Sequence, residues 1–246
     1  MACVGNSIAF ERMRCDLQKI ALAIVLLMAT HVYGQVTPRV AMSAREFVPP
    51  GYVVVDTIRG DLNQDHQEDE VLIIKATNKK NVVQHEYRGL LDRNRRGLIV
   101  ALKKGDHYEL ALENRNCFSS ENEDGGVYFP PQLHIWVEKG NLRLHYAHGR
   151  YGSWTYLFRY QKADFELIGY ESNENHGPIV IRSVSINFLT QKMVVRENVN
   201  SVETQAAIRN KFKETSKTFV FPQLIRLRKI SDFDELDVEN WLGPPR

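Results

Sequence analysis

Polar and apolar residues alternate with a period of two over most of this chain, and this pattern limits the folds open to it. Residues 133–138 read Leu-His-Ile-Trp-Val-Glu, and residues 142–146 read Leu-Arg-Leu-His-Tyr. Such alternation predicts strands with one buried face. Short turns with Gly-Asp, Gly-Asn or Ala-Asp steps separate the runs. The pattern therefore predicts consecutive hairpins, which cover residues 97–112, 132–147, 154–170 and 180–195.

Sequential hairpins predict an all-β fold that is mainly an antiparallel meander. Because one face of each strand must be covered, we expect a barrel, a sandwich or a partial propeller-like stack. Two polar stretches, residues 75–96 and 114–126, predict exposed linkers, and residues 198–215 predict a poorly packed helix or a loop. Towards the end, residues 224–227 predict a last strand and residues 231–236 a short capped helix.

The N-terminus has the composition of an export signal. Basic residues precede an apolar run at 20–28, and the small residue Gly34 follows it. This order predicts a cleavable signal peptide over residues 1–34. The apolar run is about nine residues long, whereas a membrane-spanning helix needs about twenty. We therefore expect a secreted or periplasmic protein without a membrane span.

The remaining sequence predicts a single β-rich domain over residues 35–246. Met13 offers a second start, and Cys15 precedes the apolar run, which argues against a lipoprotein. Cys117 is the one cysteine after the signal, so an intramolecular disulfide is excluded and an inert, buried thiol is expected. The chain has 32 Lys and Arg against 30 Asp and Glu. This balance argues against a nucleic-acid or membrane-surface binder.

A loop at residues 60–70 carries oxygen-bearing side chains at alternate positions, just before the apolar run at 71–74. Calcium takes six to eight oxygen ligands and tolerates irregular geometry. The expected ligands are four side chains and the carbonyl of Gln67, and the full set is Asp61, Asn63, Asp65, Gln67 and Asp69. The flanking segments are short and β-branched, so the loop is expected to join two strands rather than two helices.

The same loop resembles the FG-GAP or VCBS-type repeat found in integrin-α-like propellers and in secreted bacterial proteins. That family has Gly-Asp-Leu-Asn-Gly-Asp-Gly-x-x-Asp before an apolar strand. Residues 60–69 match this pattern once, with Gln64 and His66 in place of the two inner glycines. The resemblance implies a calcium site, and it does not extend to a full propeller, which needs at least four blades. The second part of the chain also resembles exported bacterial proteins that carry this loop.

A polar hairpin loop whose side chains cap their own backbone is the alternative, because Asp and Asn do this readily. Capping alone does not require four oxygen donors in this register. Metal binding is therefore the favoured interpretation.

An aromatic row on one predicted strand offers a candidate ligand platform. Trp154, Tyr156, Phe158 and Tyr160 share a face, and Arg150 in the turn before them could hold a carboxylate. Trp154, Tyr156 and Arg150 are thus candidate ligand-binding residues. Alternating aromatics on a strand more often supply core area, which is the favoured interpretation.

Three histidines on neighbouring predicted strands are candidate zinc ligands. Antiparallel pairing around residues 139–140 brings His134 and His145 together, and His148 lies close in sequence. A zinc centre needs three convergent ligands. These histidines occupy the polar positions of the alternation, which favours solvent-facing side chains instead.

These observations favour a calcium-binding β protein with a binding or structural role rather than catalysis. A protein or glycan of the cell envelope is the expected class of partner. One alternative is a cell-envelope hydrolase that uses carboxylates such as Glu166, Glu171 and Glu174. Another is an inhibitor of a secreted protein that binds through the loops at 114–126 or 171–177.

Overall fold

The fold is known from a computed structural model, which describes residues 39–123, 130–200, 211–221 and 223–242. These residues fall within one compact unit, Pro38–Arg246. The signal peptide predicted at 1–34 lies outside the described residues. Within them, no helix has the length and apolar character that crossing a membrane requires.

The described chain is all-β and antiparallel, as the alternation predicted. In chain order the strands are β1 Val40–Ala41, β2 Tyr52–Gly60, β3 Asp69–Ala76, β4 Val82–His85, β5 Gly89–Asp92, β6 Arg96–Lys104, β7 His107–Phe118, β8 Gln132–Glu138, β9 Asn141–Ala147, β10 Gly152–Gln161, β11 Asp164–His176, β12 Ile179–Asn187, β13 Lys192–Asn198 and β14 Phe212–Thr218. A five-stranded sheet has the order β1-β7-β6-β3-β2, and a seven-stranded sheet has the order β14-β13-β12-β11-β10-β9-β8. Strands β4 and β5 form a separate hairpin.

All four predicted hairpins are present, as β6–β7, β8–β9, β10–β11 and β12–β13. Two of the four turns have two successive residues with positive φ, as tight two-residue hairpins demand. Lys139 and Gly140 both have positive φ, and so do Lys162 and Ala163. Two successive positive φ values match the right-handed twist of the flanking strands.

The two sheets share one apolar core. Leu98 and Val100 of β6 belong to the same buried cluster as Leu144 of β9 and Phe158 of β10. The five-stranded sheet is also buried on its other face, where Phe47 from the 3-10 helix Ala44–Phe47 packs in a second cluster. Burial on both faces explains why β3 and β6 are apolar almost throughout.

The predictions for the three polar segments were wrong. Residues 75–96 are not an exposed linker throughout, because they contain the β4–β5 hairpin and the buried Leu91. The segment 114–126 begins inside β7, whose end buries Cys117 and Phe118. The part of 198–215 that the structure describes enters strand β14, which pairs with β13.

The C-terminal segment carries the expected short helical elements, as 3-10 turns at Leu227–Lys229 and Asn240–Leu242. Their positions differ from the prediction. Within 224–227 no strand forms, and Arg226 alone makes an isolated bridge to Glu166, whereas 231–236 form turns and bends. Phe233 in those turns is buried against Phe118 and Tyr156, so core packing holds this segment without regular structure.

Candidate functional site

The acidic loop, which contains residues 61–69, connects β2 to β3. Gly60 before the loop pairs with Asp69 at its end. Gln64 has φ 61° and His66 has φ 66°. Both residues are therefore in the left-handed region, which favours glycine. Gln64 and His66 stand at the positions of the two inner glycines of the FG-GAP pattern. Histidine is among the better non-glycine residues in this conformation.

Most side-chain oxygens of the four candidate ligands Asp61, Asn63, Asp65 and Asp69 accept hydrogen bonds from the loop backbone. Asp61 accepts from the N–H groups of Asp65 at 3.1 Å and His66 at 2.9 Å. Asn63 Oδ1 accepts from the N–H of Asp65 at 3.0 Å, and Asp65 Oδ1 accepts from the N–H of Gln67 at 3.0 Å. These bonds hold the loop in a tight curl with its carboxylates turned towards its own backbone.

Asp69 is completely buried. Its Oδ2 accepts from the N–H of Leu62 and its Oδ1 from the N–H of Lys103, both at 2.8 Å. Burial raises the pKa of Asp69, and the negative charges of Asp65 and Asp61 act in the same direction, although the two N–H donors oppose them. A buried carboxylate with both oxygens bonded in this way anchors the loop to β6.

The β6–β7 turn closes the loop from the side. Lys104 Nζ donates to Asp65 Oδ2 at 2.6 Å, and the N–H of Gly105 donates to Gln67 Oε1 at 2.7 Å. The hydrogen bond from Lys104 is the main cause that lowers the pKa of Asp65, and it also raises the pKa of Lys104. Lys104 thus supplies a positive charge to the acidic loop.

The loop also touches the seven-stranded sheet. A Cβ atom added to Gly60 would lie 2.6 Å from Val137 Cβ on β8, and one added to Gly140 would lie 2.8 Å from Gln64 Nε2. Gly60 is therefore needed for the close approach to β8, whereas at Gly140 the end of the Gln64 side chain could move and the positive φ is what favours glycine. The loop lies at a junction where the β6–β7 turn of one sheet and the β8–β9 turn of the other meet.

The donor set matches calcium in chemistry, because Asp61, Asn63, Asp65 and Asp69 offer oxygen only. A carboxylate oxygen has a second lone pair, so an N–H bond does not prevent it from binding a cation. In the described part of the chain, no three acidic, histidine or cysteine side chains converge in the arrangement of a metal site. The cation nearest to Asp65 in this structure is the ammonium group of Lys104.

The aromatic row faces the core. Tyr156 is 2% exposed and donates its hydroxyl to the carbonyl of Leu236 at 3.2 Å. Trp154 is partly buried and stacks on Tyr146, with ring centroids 5.3 Å apart. Arg150 is exposed in the 3-10 turn Gly149–Tyr151. The structure thus confirms the favoured interpretation of the row as core area.

His134 and His145 are neighbours, as the hairpin predicted. They are directly opposite on β8 and β9, with ring centroids 6.3 Å apart. His145 Nδ1 lies 2.9 Å from Thr155 Oγ1. The pKa of His145 is lowered mainly by its partial burial and, to a smaller extent, by the nearby His134. His148 instead packs beside Tyr151 in the following turn.

The candidate hydrolase carboxylates do not share one site. Glu171 and Glu174 are three residues apart on β11, so they project from opposite faces of the sheet. Glu166 is buried and accepts a hydrogen bond from Gln161. The thiol of Cys117 is also buried, which raises its pKa.

Sequence reasoning missed a depression of about 200 Å³ on the outward face of the seven-stranded sheet. It lies across β9 to β12 and is lined by Arg143, Arg159, Thr155, Glu171 and Ser185, among others. The one signal in the sequence was that these arginines alternate along their strands with core residues, which predicts that they face outwards. That signal could not show that residues from four strands meet.

Comparison with known protein families, with curated proteins and with solved structures found no match for this chain.

Proposed function

We propose that the chain is an exported, non-catalytic β protein whose loop at 61–69 binds calcium and so strengthens the junction between its two sheets. The observation that carries this proposal is the loop conformation. Gln64 and His66 take the left-handed conformation that the FG-GAP resemblance requires of its glycines. Around them, four side chains offer only oxygen donors at positions one, three, five and nine of the loop.

The place of the loop supports a structural role for the ion. Loop atoms bond to Lys103 and Lys104 at the end of β6 and to Gly105 in the β6–β7 turn, and Gln64 packs on Gly140 of the β8–β9 turn. A bound dication would offset the mutual repulsion of Asp61, Asp65 and Asp69. Its main effect would therefore be to stabilise the fold. The export signal predicted from the sequence is consistent with such a site, because extracellular calcium modules bind with Kd values of about 10⁻⁴ to 10⁻³ M.

The presence of Lys104 favours a second candidate, a metal-free loop in which the lysine alone balances the carboxylates. Its ammonium group lies 2.6 Å from Asp65 Oδ2. In this candidate the loop has the same structural role but does not respond to calcium. The binding role of the protein would then depend on other surfaces.

Thermal unfolding of the chelator-treated protein tests the proposal. At about 5 mM calcium and the Kd range above, binding should add about 1–2 kcal/mol to the free energy of unfolding. For a domain of this size, that gain raises Tm by about 2–8 °C. Magnesium should have a smaller effect, because it demands a more regular geometry.

Substitution of Lys104 separates the two candidates. If calcium binds, Lys104→Met should increase the calcium-dependent rise in Tm, because the ammonium no longer competes for Asp65. If the loop is metal-free, Lys104→Met should lower Tm, and calcium should change Tm in neither protein. Lys103→Met is the matched control, because its ammonium lies over the ring of Tyr108 and its backbone N–H still bonds Asp69. An unchanged Tm at millimolar calcium, with and without Lys104, defeats the calcium proposal.

A further inference from the structure

The depression on the outward face of the seven-stranded sheet has a built floor. Leu142 and Leu144 of β9 and Tyr156 and Phe158 of β10 point into the core, so the residues between them point outwards. Leu157 pairs with Gly169 while Phe158 pairs with Leu167, which leaves Ile168 as the extra residue of a bulge. Ile168 is buried and lines the depression together with Leu157. Bulges often re-aim side chains beside functional sites.

Two arginines on this floor each have one polar neighbour at Nε. Arg159 Nε donates to Asn141 Oδ1 at 3.0 Å, whereas Arg143 Nε lies 2.7 Å from Glu138 Oε2 as an ion pair without hydrogen-bond geometry. Among the described residues, the terminal amino groups of these two arginines donate no hydrogen bond, and Arg159 forms no ion pair. Fixing the guanidinium of Arg159 through Nε leaves its outer fork oriented for a planar oxyanion, and Arg143 adds a second positive charge to the depression. Such preorganisation reduces the entropy lost on binding.

The opposite wall offers acceptors and hydroxyl partners. Glu171 of β11 is directly opposite Ser185 of β12, and Asn187 follows on the same face. All three side chains are exposed and line the depression. Glu171 would repel a phosphate dianion more strongly than a carboxylate, and its oxygens accept hydrogen bonds from hydroxyl groups. The two walls together match a ligand with one carboxylate and several hydroxyls.

The volume of the depression and the surface beside it agree with a ligand of this kind. The volume of about 200 Å³ is below the roughly 300–1,000 Å³ of pockets for drug-sized ligands, so it suits a single ring. Trp136, directly opposite Arg143 on β8, is 37% exposed and adds apolar surface beside the depression. We propose that this depression binds a carboxylate-bearing sugar, with its carboxylate on Arg143 and Arg159 and its hydroxyls on Glu171, Ser185 and Asn187.

This proposal goes beyond the calcium loop, because no residue of 61–69 lines the depression. Titration of the full chain with D-glucuronate, D-galacturonate, N-acetylmuramic acid and D-glucose, followed by calorimetry and by NMR of the arginine Nε–H and tryptophan signals, tests it. We expect saturable binding of at least one acidic sugar. Glucose, which lacks the carboxylate, should bind roughly tenfold more weakly or worse than that sugar.

Variants then locate the site. Arg159→Gln should lose roughly tenfold or more in affinity, and Arg159→Lys, which keeps the charge but not the fork, should lose less. Arg196→Gln is the matched control, because Arg196 of β13 lies on the same outward face of the sheet as Arg159 and is paired with Glu214. Unchanged unfolding curves verify that each variant folds. The proposal is overturned if no acidic sugar binds, if glucose or inorganic sulfate binds equally well, if a peptide carboxylate binds better, or if Arg159→Gln binds like the parent protein.

Discussion

The left-handed conformation of His66 makes a quantitative prediction about the acidic loop. His66 has φ 66° and is exposed, and its backbone N–H donates to Asp61. A residue with a Cβ atom in this conformation carries a cost of about 1–2 kcal/mol that glycine avoids. Glycine loses about 0.5–1 kcal/mol more conformational entropy on folding than alanine does. The step from His66→Ala to His66→Gly should therefore range from neutral to a stabilisation of about 1.5 kcal/mol.

Glu68 in the same loop provides the matched reference. It is exposed and its φ is not positive. The step from Glu68→Ala to Glu68→Gly should thus destabilise the fold by about 0.5–1 kcal/mol, since only the entropy loss applies. Comparing glycine with alanine at each position cancels the loss of the original side chain. The difference between the two positions isolates the backbone strain, at about 1–2 kcal/mol.

Urea unfolding of the four variants, with chelator present, measures these differences directly. In thermal unfolding the same strain corresponds to a gap of about 2–8 °C between the two alanine-to-glycine steps. An equal loss of stability at both positions would show that His66 is not left-handed. The loop conformation on which the calcium proposal depends would then be refuted.

Other predictions concern the scaffold. Gly97→Ala should cost about 3 kcal/mol or more in a urea melt, because its Cβ would lie 2.2 Å from the carbonyl oxygen of Asn114, and a loss below 1 kcal/mol would contradict this packing. The hydrogen bond from Lys75 is the main cause that lowers the pKa of Asp92, whose ordinary value is 3.8. The stability lost in Asp92→Asn should therefore be complete above that value and disappear as pH falls through the folded pKa, whereas a pH-independent loss would exclude the ion pair as its cause. Cys117 should react with a thiol reagent only as fast as the protein opens, and rapid labelling in native buffer would contradict its burial.

The hairpins could be predicted because their signals are local. Alternation along a strand and the turn that follows it are contained in about 15 neighbouring residues. At Lys139 and Gly140 the turn residues take the positive φ values that hairpin geometry demands. Nothing from elsewhere in the chain is needed to form this pairing.

Strand β14 could not be predicted, because it lacks that signal. Its residues 213–216 are all exposed, so neither face is marked by apolar side chains. The segment is a strand because its backbone pairs with β13, for example Thr215 with Val195. The β4–β5 hairpin, which was expected to be an exposed linker, is a different case, because its two strands pair with each other, for example Val83 with Leu91. For β14 the stabilising partner lies outside the segment, and in both cases composition alone favours a loop.

The candidate sites divide in the same way. The acidic loop could be read from one stretch of sequence, including the two positions that turned out to be left-handed. Lys104, which closes it, lies 39 residues beyond Asp65 and is brought there by the β3–β6 pairing. Arg143 and Arg159 lie near one depression because of β9–β10 pairing, together with residues from β11 and β12. Convergence of this kind depends on register between strands, which the spacing within one strand does not give.

The ammonium group of Lys104 and a bound calcium ion cannot both contact Asp65 at the same time. Two unit charges about 4 Å apart repel by about 4 kcal/mol near a protein surface, and a dication is repelled more strongly. This exceeds the 1–2 kcal/mol that weak calcium binding supplies. The side chain of Lys104 is 37% exposed, so rotation into solvent relieves the repulsion at small cost. Calcium binding as proposed therefore requires that Lys104 leave Asp65, and a calcium-loaded protein in which their contact persists would contradict it.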